Sequence, residues 1–287
     1  MDIANHPFRS VLYIPGSMGK ALDKARHLPC DAIIFDLEDA VTPDAKVAAR
    51  EAVAEALREG GYGKRYKIVR VNALTTAWGL DDVHALRDVG ADAILLPKVN
   101  ASSDVYNLAD LLGPDMPIWV MIETPISVFN IREIAAHPRV FGLVTGTNDL
   151  TKELSSRYRP DRLPLMLALQ TIVMAASASR VIAVDGVYNK FRDNDGLKAE
   201  CEQGRDLGFD GKTLIHPGQI EVTNTAFAPT EDEIDLAERQ IAAFEDSMEH
   251  GKGIAVVDGN IVENLHVVAA QRVLAKARAV ADMAKED

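Results

Sequence analysis

Carboxylates follow several of the short apolar segments of this sequence. In the stretch "IIFDLEDAV" (33–41), three acids come within four positions directly after apolar residues. The acids that follow such segments are Asp36, Glu38, Asp39, Glu123, Asp149 and Asp185. A buried carboxylate without a partner is costly, and clustered carboxylates repel one another unless a cation neutralises them. Oxygen ligands favour Mg²⁺, and Mn²⁺ accepts the same ligands, whereas zinc prefers clusters of His and Cys that this sequence lacks. The acids therefore predict a site for a divalent cation.

Arg70 interrupts the apolar segment "KIVRVN" (67–72). Arginine is rarely buried without a partner, so this side chain needs an anion. It could pair with Glu38, or it could clamp a substrate carboxylate or thioester oxygen. A single acid could likewise cap a helix or form a loop salt bridge, and this alternative is strongest for Asp39.

The apolar segments alternate with amphipathic stretches along the chain and are rich in Val, Ile and Leu. The segments are 10–15, 31–38, 67–72, 92–98, 117–123, 141–146, 180–186 and 209–217. Strands that are apolar on both faces are typical of a parallel sheet, and eight of them predict an α/β fold, a (β/α)8 TIM barrel. An open doubly wound sheet is the alternative, which the missing Gly-x-Gly-x-x-Gly after the first strand disfavours.

The C-terminal part of the chain has a different pattern. Thr230 and Glu233 form a capping-box signature that predicts a helix ending at Gly251. The following "IAVVDGNIVE" is typical of a hairpin that turns at Asp258-Gly259, and a last helix follows. We therefore expect a barrel domain over 1–222 and, over 223–287, a helix–hairpin–helix appendage that caps an active site.

The barrel prediction places the acids at one rim. Catalytic groups of such barrels lie at the carboxyl ends of the strands, where four of the eight predicted strands carry an acid. Because side chains alternate along a strand, Asp36 and Glu38 should face the barrel mouth, while Phe35 and Leu37 face the helices. Asp39 is then expected to point away from Glu38.

Charge and composition exclude several classes of protein. The chain has 31 basic and 43 acidic residues, a net charge of −12, and no long basic block, which disfavours a nucleic-acid surface. Cys30 and Cys201 are far apart, which predicts two buried, reduced thiols. No signal pattern and no apolar run of about 18 residues is present, so we expect a cytoplasmic protein that does not enter membranes.

The strand-end motifs together resemble one family. They are "RSVLYIPGS" (9–17), "FDLEDAV" (35–41), "IVRVNA" (68–73), "LLPKV" (95–99), "MIETP" (121–125), "GTNDL" (146–150) and "GKTLIHPGQI" (211–220). In this order they resemble the citrate lyase β-subunit and malyl-CoA lyase family, among the HpcH/HpaI aldolases. The resemblance implies a TIM barrel, a homotrimer or homohexamer, and a CoA-thioester substrate.

The resemblance also implies a role for each matching residue. Glu123 and Asp149 would bind Mg²⁺, and Arg70 would bind the substrate carboxyl or stabilise an enolate. Behind them, Asp36, Glu38 and Asp39 would hold metal-bound waters and orient Arg70, and the last two are also candidates for a catalytic role. The residues that correspond to substrate or CoA contacts are Tyr13, Lys24 and Asn148.

Two positions depart from the family pattern. Met18 stands where malyl-CoA lyases can carry an Arg toward CoA, and Lys20 lies near enough to compensate or is simply a solvated helix lysine. Glu263 stands where those lyases carry a catalytic Asp. Because misplacing a reacting group by about 1 Å can cost about 100-fold in rate, Glu263 either does the same work with adjusted geometry or does different work.

Five longer segments point to a hydrolytic branch of the family. They are "HPFRSVLYIPGS", "SRYRPDRL", "VDGVYNKF", "AECEQGRDLGFDGKTLIHP" and "VVDGNIVENLH". They resemble the branch that hydrolyses (3S)-malyl-CoA to malate and CoA, in which Glu263 would be a general base or a nucleophile.

Four other functions are compatible with parts of the pattern. They are a malyl-, citramalyl- or citryl-CoA lyase, a class II aldolase on 2-oxo acids, a carrier-dependent citrate lyase subunit, and a scaffold without activity. Lys98 invites a Schiff-base mechanism, which the acids disfavour because they already predict metal chemistry. His216 is expected to shape the rim through a backbone hydrogen bond.

Overall fold

A computed structural model describes residues 6–284. Eight parallel strands close into a barrel in sequence order, each hydrogen-bonded to its neighbours in the chain and the last to the first. The strands are β1 (Ser10–Pro15), β2 (Ala32–Asp36), β3 (Tyr66–Arg70), β4 (Ala93–Leu96), β5 (Ile118–Ile122), β6 (Val140–Thr145), β7 (Ile182–Asp185) and β8 (Gly211–Leu214). The predicted (β/α)8 barrel is confirmed, with each strand inside or within one residue of its predicted segment.

Helices surround the barrel. They are α1 (Gly19–Ala25), α2 (Lys46–Glu59), α3 (Gly79–Leu86), α4 (Ser102–Leu111), α5 (Pro125–Phe129), α6 (Ile131–Ala135), α7 (Thr147–Glu153), α8 (Met166–Ser179), α9 (Asn194–Leu207) and α10 (Ile220–Phe227). A 3-10 turn that begins at Pro43 leads into α2, which ends at Gly60 with φ of 72°, a conformation that glycine adopts without strain.

Alternation along the strands separates two buried layers. In β2, Ile33 and Phe35 belong to the core between the strands and the helices, whereas Ile34 and Asp36 face the barrel interior. One end of the interior is filled by three rings, Phe8, Tyr66 and Trp119, whose centroids lie 5.2–6.2 Å apart. Gly142 makes room for them, because a Cβ there would lie 2.4 Å from the Trp119 ring.

Residues 8–227 form one compact unit, and residues 228–284 belong to a second. The second unit contains α11 (Glu231–Glu249), a hairpin of β9 (Ala255–Val257) and β10 (Asn260–Val262), and α12 (Asn264–Ala284). The capping box of Thr230 and Glu233 is present, and the turn residues Asp258 and Gly259 both have positive φ. The expected domain boundary after residue 222 lies inside α10.

Two further expectations concern the cysteines and the membrane. Cys30 and Cys201 are buried and form no disulfide. Within residues 6–284, no helix combines the length and the apolarity that crossing a membrane requires.

Candidate active site

Arg70 lies at the end of β3, buried inside the barrel mouth. Its Nε and Nη2 donate to the two carboxylate oxygens of Asp36, at 2.7 and 2.6 Å, in a bidentate pair. Parallel pairing of β2 with β3 places these residues side by side. The Asp36 carboxylate also accepts hydrogen bonds from the backbone N–H groups of Glu38 and Ala40. The guanidinium is therefore fixed in orientation as well as neutralised.

Two further acids reach the same guanidinium. Glu38 lies 2.9 Å and Asp39 3.7 Å from Nη1 of Arg70. The expectation that Asp39 points away was wrong, because β2 ends at Asp36 and strand alternation no longer applies to the turn that follows. Burial raises the pKa of Glu38 to about 7, with Asp39 contributing and Arg70 opposing the rise.

An aromatic ring and a sulfur complete the surroundings of Arg70. The guanidinium carbon lies 4.9 Å from the centroid of the Tyr13 ring, a cation–π contact. The Sδ of Met121 lies 3.6 Å from Nη1 and 3.9 Å from the Tyr13 hydroxyl. Burial raises the pKa of Tyr13 well above its usual range, so the phenol stays neutral at physiological pH.

Glu123 directly follows β5, Asp149 lies in the first turn of α7, which follows the neighbouring strand β6, and the two meet at a shared cation. The backbone N–H of Lys98 donates to Oε1 of Glu123 at 2.7 Å, and Nζ of Lys98 lies 3.5 Å from the same oxygen. The same Nζ donates to Oδ2 of Asp149. Gly146 gives the Glu123 side chain its space, since a Cβ at this position would lie 2.3 Å from the Cβ of Glu123.

This pair fits a divalent cation of the Mg²⁺ type. Two carboxylates converge on the ammonium of Lys98. The three contacts to Lys98 use Oε1 of Glu123 and Oδ2 of Asp149, so none of them uses Oε2 of Glu123 or Oδ1 of Asp149. Within residues 6–284, no set of three or more His, Cys, Asp or Glu side chains forms a metal cage. Mg²⁺ is characteristically held by one or two carboxylates and completes its coordination with water and substrate, so the donor set suits it.

The other predicted contact residues lie at two places on the barrel unit. Lys20 and Lys24 are exposed on α1, one turn apart. Asn148 is the second residue of α7, next to Asp149, and exchanges hydrogen bonds with Asn189. Asn148 also lines a cavity of about 390 Å³ beside α7 and α9.

Glu263 belongs to the second unit and precedes α12. Its carboxylate is exposed, and its backbone N–H donates to Nδ1 of His266 at 3.0 Å. This hydrogen bond joins the backbone of Glu263 to the first turn of α12.

Asp185 was wrongly expected at the rim. It has the same strand parity as Ala183, so its side chain faces α9 rather than the barrel mouth. There it accepts hydrogen bonds from Nη1 of Arg162 and Nζ of Lys212, and the partly buried Glu200 accepts from the same Nζ. These two cations hold the pKa of Asp185 below its usual value despite burial. His216, as expected, shapes the rim by accepting a hydrogen bond from the backbone of Gly218.

The amino-acid sequence of this chain matches a known protein family. The HpcH/HpaI aldolase/citrate lyase family matches residues 9–217. This chain belongs to that family. Its relatives include the (3S)-malyl-CoA thioesterase of Cereibacter sphaeroides, 59% identical over 96% of each chain. The citrate lyase subunit beta of Leuconostoc mesenteroides is 36% identical over 94% of this chain and 93% of its own.

Solved structures of the same family show the same fold. Protein CitE of Mycobacterium tuberculosis, in complex with magnesium, acetoacetate and coenzyme A, has a TM-score of 0.79 and 28% identity over 94% of this chain and 97% of its own. The M. tuberculosis citrate lyase beta subunit, complexed with oxaloacetate and magnesium, has a TM-score of 0.70 and 30% identity over 79% and 99%.

Proposed function

We propose that this protein hydrolyses (3S)-malyl-CoA to malate and CoA with Mg²⁺ bound by Glu123 and Asp149. The observation that carries the proposal is the 59% identity to a (3S)-malyl-CoA thioesterase over 96% of both chains. The barrel mouth supports it, because it combines an oriented guanidinium with two converging carboxylates. A bound divalent cation would neutralise and orient the 2-hydroxycarboxylate end of the substrate.

Arg70 is the residue proposed to act on the thioester. The oxygen of the thioester carbonyl gains negative charge when water adds to the carbonyl carbon, and a guanidinium held in place stabilises that charge without having to reorganise. Asp36 and the Tyr13 ring provide the fixed orientation. The carbon–sulfur bond then breaks, the acyl group leaves as malate, and the sulfur takes a proton to give CoA as the free thiol.

Glu263 is the residue proposed to activate the water or to attack the carbonyl itself. Its side chain is exposed just before α12, which leaves the carboxylate accessible. Glu38 and Asp39 are proposed to orient Arg70, and Tyr13, Lys20, Lys24 and Asn148 to contact the CoA thioester.

The second candidate is a CoA-ester lyase that cleaves a carbon–carbon bond of malyl-CoA, citramalyl-CoA or citryl-CoA. The relationship to citrate lyase beta subunits favours it. The same Arg70 would then stabilise the enolate of acetyl-CoA, and the other product would be a 2-oxo acid. A cytoplasmic homotrimer or homohexamer is part of both proposals, and light scattering after size-exclusion chromatography would count its subunits.

A product assay separates the two candidates. The purified protein is incubated with (3S)-malyl-CoA and Mg²⁺, and free thiol and glyoxylate are followed in parallel. Hydrolysis gives thiol without glyoxylate and is lost with chelator. The variant E263Q should lose hydrolysis, whereas E238Q, an exposed glutamate on α11, should retain it. Glyoxylate without thiol would refute the hydrolytic assignment in favour of the lyase.

A further inference from the structure

Lys98 makes contacts that its sequence position did not reveal. It follows β4 in a left-handed backbone conformation, with φ of 54°. This conformation is uncommon for a residue other than glycine, and the surrounding structure must enforce it. In this conformation the backbone N–H of Lys98 donates a hydrogen bond to Oε1 of Glu123, and its ammonium lies 3.5 Å from the same oxygen. The ammonium also donates a hydrogen bond to Asp149. Lys98 thus links the two residues proposed to bind the metal.

The net charge of Glu123, Asp149 and Lys98 determines how the lysine affects binding of a metal and of an anion. Glu123 and Asp149 together carry two negative charges, and the ammonium of Lys98 reduces them to one. A bound Mg²⁺ would make the group net positive by one charge. Without the ammonium, the same metal would leave the group neutral. The lysine therefore opposes binding of the metal alone and increases the attraction of the metal-loaded site for an anion.

We infer that Lys98 is a positioning residue that couples Mg²⁺ binding to binding of the carboxylate end of the ligand. The inference rests on the proposed function, because it takes Glu123 and Asp149 as the metal ligands. The ammonium weakens the site for metal by itself, and the anionic ligand restores the affinity. Coupling of this kind is reciprocal, so metal and ligand strengthen each other by the same factor.

The test measures Mg²⁺ binding by isothermal titration calorimetry, without ligand and with saturating L-malate. The variant K98M removes the ammonium but keeps the backbone N–H, and methionine is unbranched at Cβ like lysine, so the left-handed conformation is equally tolerated. For K98M we expect Mg²⁺ to bind about 10-fold more tightly without malate, as removal of one nearby charge in a partly hydrated site implies. The factor by which malate strengthens Mg²⁺ binding should fall by about the same amount.

Two further variants keep the result interpretable. K98R preserves the charge and should stay within about threefold of the wild type in both titrations. K152M removes an exposed charge from α7, the helix that carries Asp149, and should change neither. Thermal unfolding of each variant without metal shows whether it is folded.

The outcomes distinguish this inference from the proposed function. A wild-type protein that binds no Mg²⁺ at millimolar concentration, even with saturating L-malate, would refute the metal site itself. Normal Mg²⁺ binding by the wild type, with K98M unchanged or weaker in both titrations, would refute only the coupling role of Lys98. Equal effects of K98M and K152M would show a general charge effect and also overturn the inference.

Discussion

Gly146 controls the position of a proposed metal ligand, and the substitution G146A tests this directly. A Cβ at residue 146 would lie 2.3 Å from the Cβ and 2.8 Å from Oε2 of Glu123. The φ of Gly146 is −93°, so alanine meets no left-handed strain and the steric contact is the main effect. Carbon atoms in good contact are about 3.5–4.0 Å apart, so the two groups must separate by more than about 1 Å.

The expected effects follow from this displacement. Moving a reacting or ligating group by about 1 Å can cost about 100-fold in rate, and we expect a similar loss in kcat/KM together with weaker Mg²⁺ binding. Overpacking of this kind also costs about 1–3 kcal/mol of stability, which leaves the barrel folded. Thiol release from (3S)-malyl-CoA measures the rate, calorimetry the Mg²⁺ affinity, and thermal unfolding the stability.

A matched glycine provides the control. A Cβ at Gly113 would have no heavy atom within 4 Å, so G113A should behave as the wild type in all three assays. The reasoning is refuted if G146A binds Mg²⁺ and turns over substrate within about threefold of G113A. Loss of stability in G146A without loss of Mg²⁺ affinity would show that Glu123 is displaced but does not bind the metal.

Three further predictions concern buried charges. R70K keeps the positive charge but loses the bidentate pair with Asp36. We expect kcat/KM in the thiol assay to fall about 100- to 1000-fold while the Mg²⁺ affinity is unchanged. A decrease in kcat/KM of less than about threefold would contradict the role of Arg70. Burial raises the pKa of Glu38 from 4.5 to about 7, so the folded state binds the proton of the Glu38 carboxyl more tightly than the unfolded state does. The protonated carboxyl therefore adds to the free energy of unfolding at low pH, and this contribution is lost as the pH rises toward 7. In E38Q the decrease in unfolding free energy between pH 5 and pH 8 should be smaller by up to about 3 kcal/mol, measured by urea titration with tryptophan fluorescence, and an unchanged decrease would count against it. D185N leaves Lys212 and Arg162 buried with a weakened partner and should destabilise the barrel by about 3–5 kcal/mol. D161N, in an exposed pair with Arg159, should leave the free energy of unfolding close to that of the wild type, and equal costs would contradict the burial argument.

The barrel could be predicted because its strands are apolar on both faces, and this pattern can be recognised without knowledge of tertiary contacts. It also predicted the capping box at Thr230 and the hairpin turn at Asp258-Gly259, since both depend on neighbouring residues alone. The association of Arg70 with Asp36 was implied only by the family resemblance. From the residues alone the acid partner considered for Arg70 was Glu38, because the bidentate pair with Asp36 depends on the register of β2 against β3.

The roles of Lys98 and Gly146 could not be derived from sequence for a different reason. Lys98 adopts positive φ without being glycine, so no local signal marks the turn that directs its ammonium toward Glu123 and Asp149. Gly146 has an ordinary negative φ, so its requirement is a contact with another strand rather than a turn. Both depend on where β4, β5 and β6 bring their ends together.

The buried acids show why strands of a core can end in carboxylates. Asp36 pairs with Arg70 inside the barrel mouth, and Glu123 accepts from the backbone N–H of Lys98 and lies near its ammonium. Asp185 pairs with Lys212 and Arg162 on the outer side of the sheet. Each acid has a cation on a neighbouring strand or loop, so the cost of burial is offset in all three places. What differs is the face: the Asp185 cluster lies between the sheet and α9, while Asp36 and Glu123 lie toward the barrel interior, beside Arg70 and Lys98. Strand parity, one residue in either direction, therefore separates a structural ion pair from a group that is proposed to act at the active site.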